Sequence, residues 1–146
     1  MAATMIIYNS FIDKVARGQI DLDAGLTVKA MLLTASYTPA QAHDFRDDLT
    51  SEVTGTGYSA GGTVVSVTVT TVGASNLTRL TLGQAIWNAA GGALTGRKVA
   101  YYVSRGGSAS ADELICVVSE TADVTATNAN WTADTQVIEF VNQNAA

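Results

Sequence analysis

"TVVSVTVTTV", residues 63–72, decides the class of this chain. Val65, Val67 and Val69 alternate with Ser66, Thr68 and Thr70. That period of two puts valines on one face of a strand and hydroxyls on the other. The signal recurs in both directions along the chain. "NLTRLTLGQAIWN" (76–88) sets Leu80 and Leu82 opposite Arg79 and Thr81, and "RKVAYYVSR" (97–105) puts Val99, Tyr101 and Val103 on one side. "ELICVVSE" (113–120) and "TQVIEFVNQ" (135–143) read as two more strands, with "RGGSASAD" as a flexible turn and Trp131 in a polar link. Upstream, "LTVKAMLLTASY" (26–37) passes from partial alternation to a continuous apolar run at 31–33, the pattern of a buried strand, and Pro39 closes it. Six or more strands separated by Gly, Ser and Thr predict a mainly β fold, an antiparallel sandwich or barrel. No repeat period or composition break divides residues 1–146, so one domain is expected.

The front of the chain departs from that pattern. In "YNSFIDKVARGQIDL" (8–22), Tyr8, Phe11, Ile12, Val15 and Ala16 recur at helical spacing. The spacing predicts one short amphipathic helix with Asp13, Lys14 and Arg17 on its wet side. Asn9 and Ser10 are rival N-caps, Asp13 and Arg17 form an i,i+4 pair, and Gly18 is placed to end the helix in a left-handed turn. So short a helix needs a surface to dock on. Before it, "MAATMIIY" (1–8) reads either as an extended arm for strand addition on a neighbour's sheet or as an internal edge strand. "DLDAG" (21–25) reads as a turn.

Bulk properties exclude several function classes. Apolar residues make up 47% and charged ones 14%, a balance that folds rather than stays disordered. The net charge is −5 and only Arg97 and Lys98 among the eight basic residues are adjacent, which argues against direct nucleic-acid binding. The start has no basic region ahead of a long apolar stretch, so no signal peptide is expected. No run has the length of a membrane helix. The sequons at Asn76 and Asn130 therefore carry no weight. Cys116, the single cysteine, sits in an apolar run and reads as a small buried hydrophobe.

No chemistry-bearing motif emerges from residues 40–62, "AQAHDFRDDLTSEVTGTGYSAGG", a long polar loop with a single helical turn near 44–49. His43, the only histidine, has no nucleophile elbow beside it and reads as a surface residue. Asp44, Asp47, Asp48 and Glu52 lack the spacing of an EF-hand and read as a solvated or ion-paired face. "GTGYSAGG" precedes a strand, whereas a phosphate-cradling loop follows one and opens a helix. Its glycines read as a turn and a tight chain crossing. No cofactor, metal site or catalytic group is expected.

"IYNSFIDKVARGQIDL", "VKAMLLTASYTP" and "EVTGTGYSAGG", which together span roughly the first half of the chain, resemble a pattern found in tailed-bacteriophage capsid decoration (cement) proteins and related small virion proteins. The resemblance implies a β-sandwich or barrel-like (β-tulip-like) fold with one N-terminal helix and no catalysis. It further implies a protein assembled in the bacterial cytoplasm that sits on the capsid exterior. There it would clamp neighbouring major capsid protein subunits, as a homo-oligomer, with a trimer favoured. The contact residues it suggests are Met5, Ile6, Ile7 and Tyr8 of the arm and Asp44, Arg46 and Asp47 of the loop. Two alternatives remain open: a tail or head–tail component, and a receptor- or glycan-binding module using Trp87, Trp131 and the Tyr101–Tyr102 pair. Buried aromatics would count against the last, and burial is expected at least for Trp87.

Overall fold

The computed structural model describes residues 3–23 and 25–142. Residues 1 and 2 of the predicted arm, Ala24 of the predicted turn and residues 143–146 lie outside them. Ten strands and one α-helix follow in order: β1 (Thr4–Ile7), α1 (Asn9–Ala16), β2 (Val28–Leu33), β3 (Thr63–Val65), β4 (Val67–Val72), β5 (Leu77–Leu82), β6 (Ala85–Asn88), β7 (Ala93–Val103), β8 (Leu114–Thr127), β9 (Asn130–Ala133) and β10 (Gln136–Val141). All pairings between strands are antiparallel. A five-stranded sheet runs β1-β8-β7-β2-β3, a three-stranded sheet β10-β5-β4, and β6 pairs with β9. The result is a sandwich-like β fold, and the described sheets do not close into a barrel.

The stretch 63–72 is two strands rather than one. It breaks at Ser66, so that β3 belongs to the large sheet and β4 to the small one. Its partner run breaks at the same level, where the Gly83 N–H donates to the Ser66 carbonyl at 2.8 Å. A Cβ on Gly83 would overlap the Ser66 hydroxyl, so glycine lets the two chains cross at this corner. Alternation survives the break because Val65, Val67 and Val69 stay on the core side across it, while Val64 is exposed. Period alone therefore could not reveal it.

Burial on both faces explains the continuous apolar runs. Leu32, Tyr101, Val103 and Ile115 face the main core with Leu80, Leu82, Trp87 and Trp131. On the other side of the large sheet, Met31, Leu33, Ala100, Tyr102 and Val117 form a second cluster, capped by Tyr8 and Tyr37. β7 and β8 also exceed their sequence reading. β7 begins at Ala93, and β8 continues to Thr127, through residues read as a polar link, with Trp131 lying in β9. Cys116 is fully buried, and burial pushes its thiol well above the ordinary range.

The helix is present but turned from the expected face. Phe11 is its one buried residue, whereas Ile12 is 45% exposed. Lys14, read as wet, instead lies 3.6 Å above the centre of the Phe45 ring, and its buried Nζ has no hydrogen-bond acceptor. Neither Asn9 nor Ser10 is the cap. Tyr8 holds that position without a side-chain bond, and the Asn9 N–H donates to the Gln41 carbonyl at 3.0 Å. The loop over residues 40–45 packs against the helix start and sets its rotation, information that helical spacing does not contain. The Asp13–Arg17 pair forms at 2.9 Å, and Gly18 has φ +70°.

Candidate functional site

The two segments expected to meet a partner lie side by side. Residues 4–7 form β1, which pairs with β8 from Thr4↔Ser119 to Ile7↔Cys116, so the internal-edge reading describes this segment. Tyr8 is fully buried and unavailable as a surface contact. Its hydroxyl shares a 2.9 Å hydrogen bond with that of Tyr37, which in turn bonds His43 Nδ1 at 2.8 Å. His43 also stacks on Tyr8 with ring centroids 6.4 Å apart. It is thus a half-buried residue against the second core rather than a plain surface residue, because Tyr37 and the sequence-distant Tyr8 close around it.

The polar loop is largely spoken for. Arg46 Nε donates to Asp112 Oδ2 at 2.7 Å, and Arg46 lies over the Tyr102 ring. Asp44 is half-buried, and its N–H donates to Asp48 Oδ2 at 2.9 Å, which holds the Asp48 carboxyl below the usual carboxylate range. Asp47 alone of the three contact residues is exposed. Glu52 accepts from the Tyr58 hydroxyl at 2.7 Å and from the Gly61 N–H at 2.6 Å. Among the described residues no cluster of three metal-ligating side chains occurs.

Sequence reading missed the strongest polar group in this region. Asp112 and Glu113 are buried at 2% and 9% exposure. Asp112 Oδ1 accepts the Arg105 N–H at 2.7 Å, and the Glu113 carboxylate takes Arg105 Nε and Nη2 at 2.9 and 3.0 Å. Arg105 Nη2 also donates to the Gln19 carbonyl, tying the β7–β8 connection to the segment after α1. The one available signal was an acidic pair abutting the apolar run "LICVV". Asp112→Ala would leave a partly buried guanidinium and a backbone N–H unpaired, and we expect it to cost about 3–5 kcal/mol. Urea unfolding measures this, and a loss under about 1 kcal/mol would contradict the assignment.

What remains open is the outer edge of β1. It is the last strand of its sheet, with no strand beyond it among the described residues. The Tyr8 N–H donates to the Ile115 carbonyl at 3.2 Å. Antiparallel alternation then turns the N–H groups of Met5 and Ile7 away from β8, toward solvent. This edge, "TMII", carries no charge and no proline, the devices by which edges are ordinarily blunted. Trp87, Trp131, Tyr101 and Tyr102 are all at most 3% exposed, so the surface a glycan-binding reading requires of them is absent. No helix among the described residues is long and apolar enough to cross a membrane. Comparison with protein-family models, curated proteins and solved structures returns no match.

Proposed function

We propose that this chain is a structural virion protein that binds the outer surface of an assembled phage capsid and holds neighbouring major capsid protein subunits together. The resemblance of its first half to decoration proteins supplies the class. The observation that carries the reading is the open, uncharged edge of β1, available for strand addition by a neighbouring chain. Met5 and Ile7 contribute backbone there, with Ile6 between them bonded to β8, and Asp47 lies exposed in the adjoining loop, while Tyr8, Asp44 and Arg46 support the surface from within. Binding only the assembled shell stabilises the shell by mass action.

Removing residues 1–8 cannot test this cleanly, because it would also delete the Tyr8 side chain from the second core. Met5→Pro is the sharper variant. It removes an outward-facing N–H, leaves the bonds to β8, and asks of Thr4 only the extended backbone it already has. Met5→Pro should stay folded and lose capsid binding by at least about tenfold, with Met5→Ala binding normally. Equal binding by both variants would sink the role of the edge. Electron microscopy of virions carrying labelled protein tests the class itself: label over the head supports it, and label at the tail overturns it.

A further inference from the structure

Between β7, β8 and the β9–β10 connection lies a partly enclosed cavity of about 110 Å³. Its walls include Val99, Val118 and Trp131, all buried, while Thr132 and Asp134 are exposed at its mouth. Tyr101 and Glu120 also line it. Tyr101 is fully buried, yet its hydroxyl has no hydrogen-bond partner, and the buried Glu120 Oε2 has none either. Buried polar atoms are nearly always paired, because leaving one bare forfeits its hydration without return. Two bare oxygens on residues that line one cavity point to a missing occupant.

The chemistry of the lining defines that occupant. Glu120 and Asp134 take part in none of the protein's ion pairs among the described residues. The neighbouring cations are committed elsewhere: Arg97 reaches the Thr121 carbonyl and Asp123, and Lys98 donates to the Ala35 carbonyl. The site therefore offers acceptors and negative charge. Two carboxylates are too few for a hard divalent cation, which gathers six or more oxygens. The cavity is also far smaller than a pocket for a drug-sized ligand. A primary ammonium brings three donors, matching the phenol oxygen, Glu120 Oε2 and the Asp134 carboxylate. Its alkyl stem would run along the valine walls, and the Trp131 ring favours a cation beside it.

We propose that this cavity is a receptor for a primary alkylammonium group, the side chain of a lysine presented by a partner protein. The proposal stands on the cavity alone and does not depend on the virion reading, so the isolated protein tests it. Amide NMR shifts would be followed during titration with Nα-acetyl-lysine methylamide, with the uncharged norleucine analogue, and with putrescine. The lysine probe should give saturable shifts at residues 99–101, 118–120 and 131–136, and the norleucine analogue should not. The double variant Glu120→Gln, Asp134→Asn, its fold checked by the same spectra, should bind at least about tenfold more weakly. Equal shifts with norleucine would make the cavity merely apolar and overturn the proposal. No saturation by about 50 mM would leave bridging water as the occupant and do the same. Tighter binding of putrescine than of the lysine probe would move the site to free polyamines and overturn its assignment to a protein side chain.

Discussion

Raising the pH from 9 toward 12 should unfold this protein in one steep step. All five tyrosines, Tyr8, Tyr37, Tyr58, Tyr101 and Tyr102, have phenol groups pushed upward, chiefly by burial, Tyr102 to about 12. For Tyr8 the bond to Tyr37 adds to the effect, and for Tyr58 the bond to Glu52 does. An unfolded tyrosine titrates near 10, so the folded chain holds these protons more tightly. The resulting stability is complete below pH 10 and is lost as pH rises through 10 toward the folded values. Each group withdraws up to about 1.4 kcal/mol per pH unit. Five acting together remove several kcal/mol per unit, against a total stability of about 5–15 kcal/mol. Far-ultraviolet circular dichroism and tyrosinate absorbance should therefore change together, and the buried Cys116 thiol should become alkylatable in the same step. Tyrosinate absorbance rising gradually from pH 10 with an unchanged fold would refute this. Tyr101→Phe should make the step shallower, since it removes one of the five titrating groups.

Gly62→Ala should be one of the two most damaging single methyl additions on the loop ahead of β3, alongside Gly57→Ala, where a Cβ would overlap the Asn88 carbonyl oxygen. Gly62 has φ +77°, and a Cβ there would overlap the carbonyl oxygen of Ala30 in β2. Backbone inside a paired strand cannot swing aside as a side chain tip can. The expected cost is about 4 kcal/mol or more, in the range kept for severe steric and backbone faults. Gly61 supplies the control. It also has positive φ, +88°, but the nearest atom to a Cβ is the Tyr102 hydroxyl at 3.6 Å, an ordinary contact. Gly61→Ala should then cost only the left-handed backbone penalty, about 1–2 kcal/mol. Urea midpoints of the two variants decide the matter, and equal losses would show that the clash with Ala30 is relieved without cost.

The contrast between those neighbouring glycines shows what the sequence could and could not reveal. "GTGYSAGG" announced a turn and a close crossing, but which glycines the crossing needed depends on β2 and β6, each some thirty residues away. Alternation placed Leu80, Leu82, Val99 and Tyr101 in the core correctly, because period two is a local property. The Ser66 break left no trace in that period. The rotation of α1 and the enclosure of His43 by Tyr8 and Tyr37 were hidden for the same reason: both depend on contacts between distant segments. The candidate surface was half legible. Residues 4–7 were recognised as strand-forming, but only the sheet order showed which side of that strand lies open. The empty acceptors of Tyr101 and Glu120 could not be seen in a sequence at all.

The pairing of β1 with β8 also sets a timetable for biosynthesis. Thr4–Ile7 is made well before its partners, residues 116–119, which are more than a hundred residues further on. At about 5–20 residues per second, the nascent chain carries an uncharged, unpaired strand for about 6–20 seconds before its mate exists. During that interval both edges of "TMII" are free, where the finished protein exposes one. Sticky strands meeting on neighbouring polysomes are a route to aggregation, so yield in the cell should depend on translation speed and on chaperones that shield this segment. The edge left open in the folded protein is thus a hazard to the growing one.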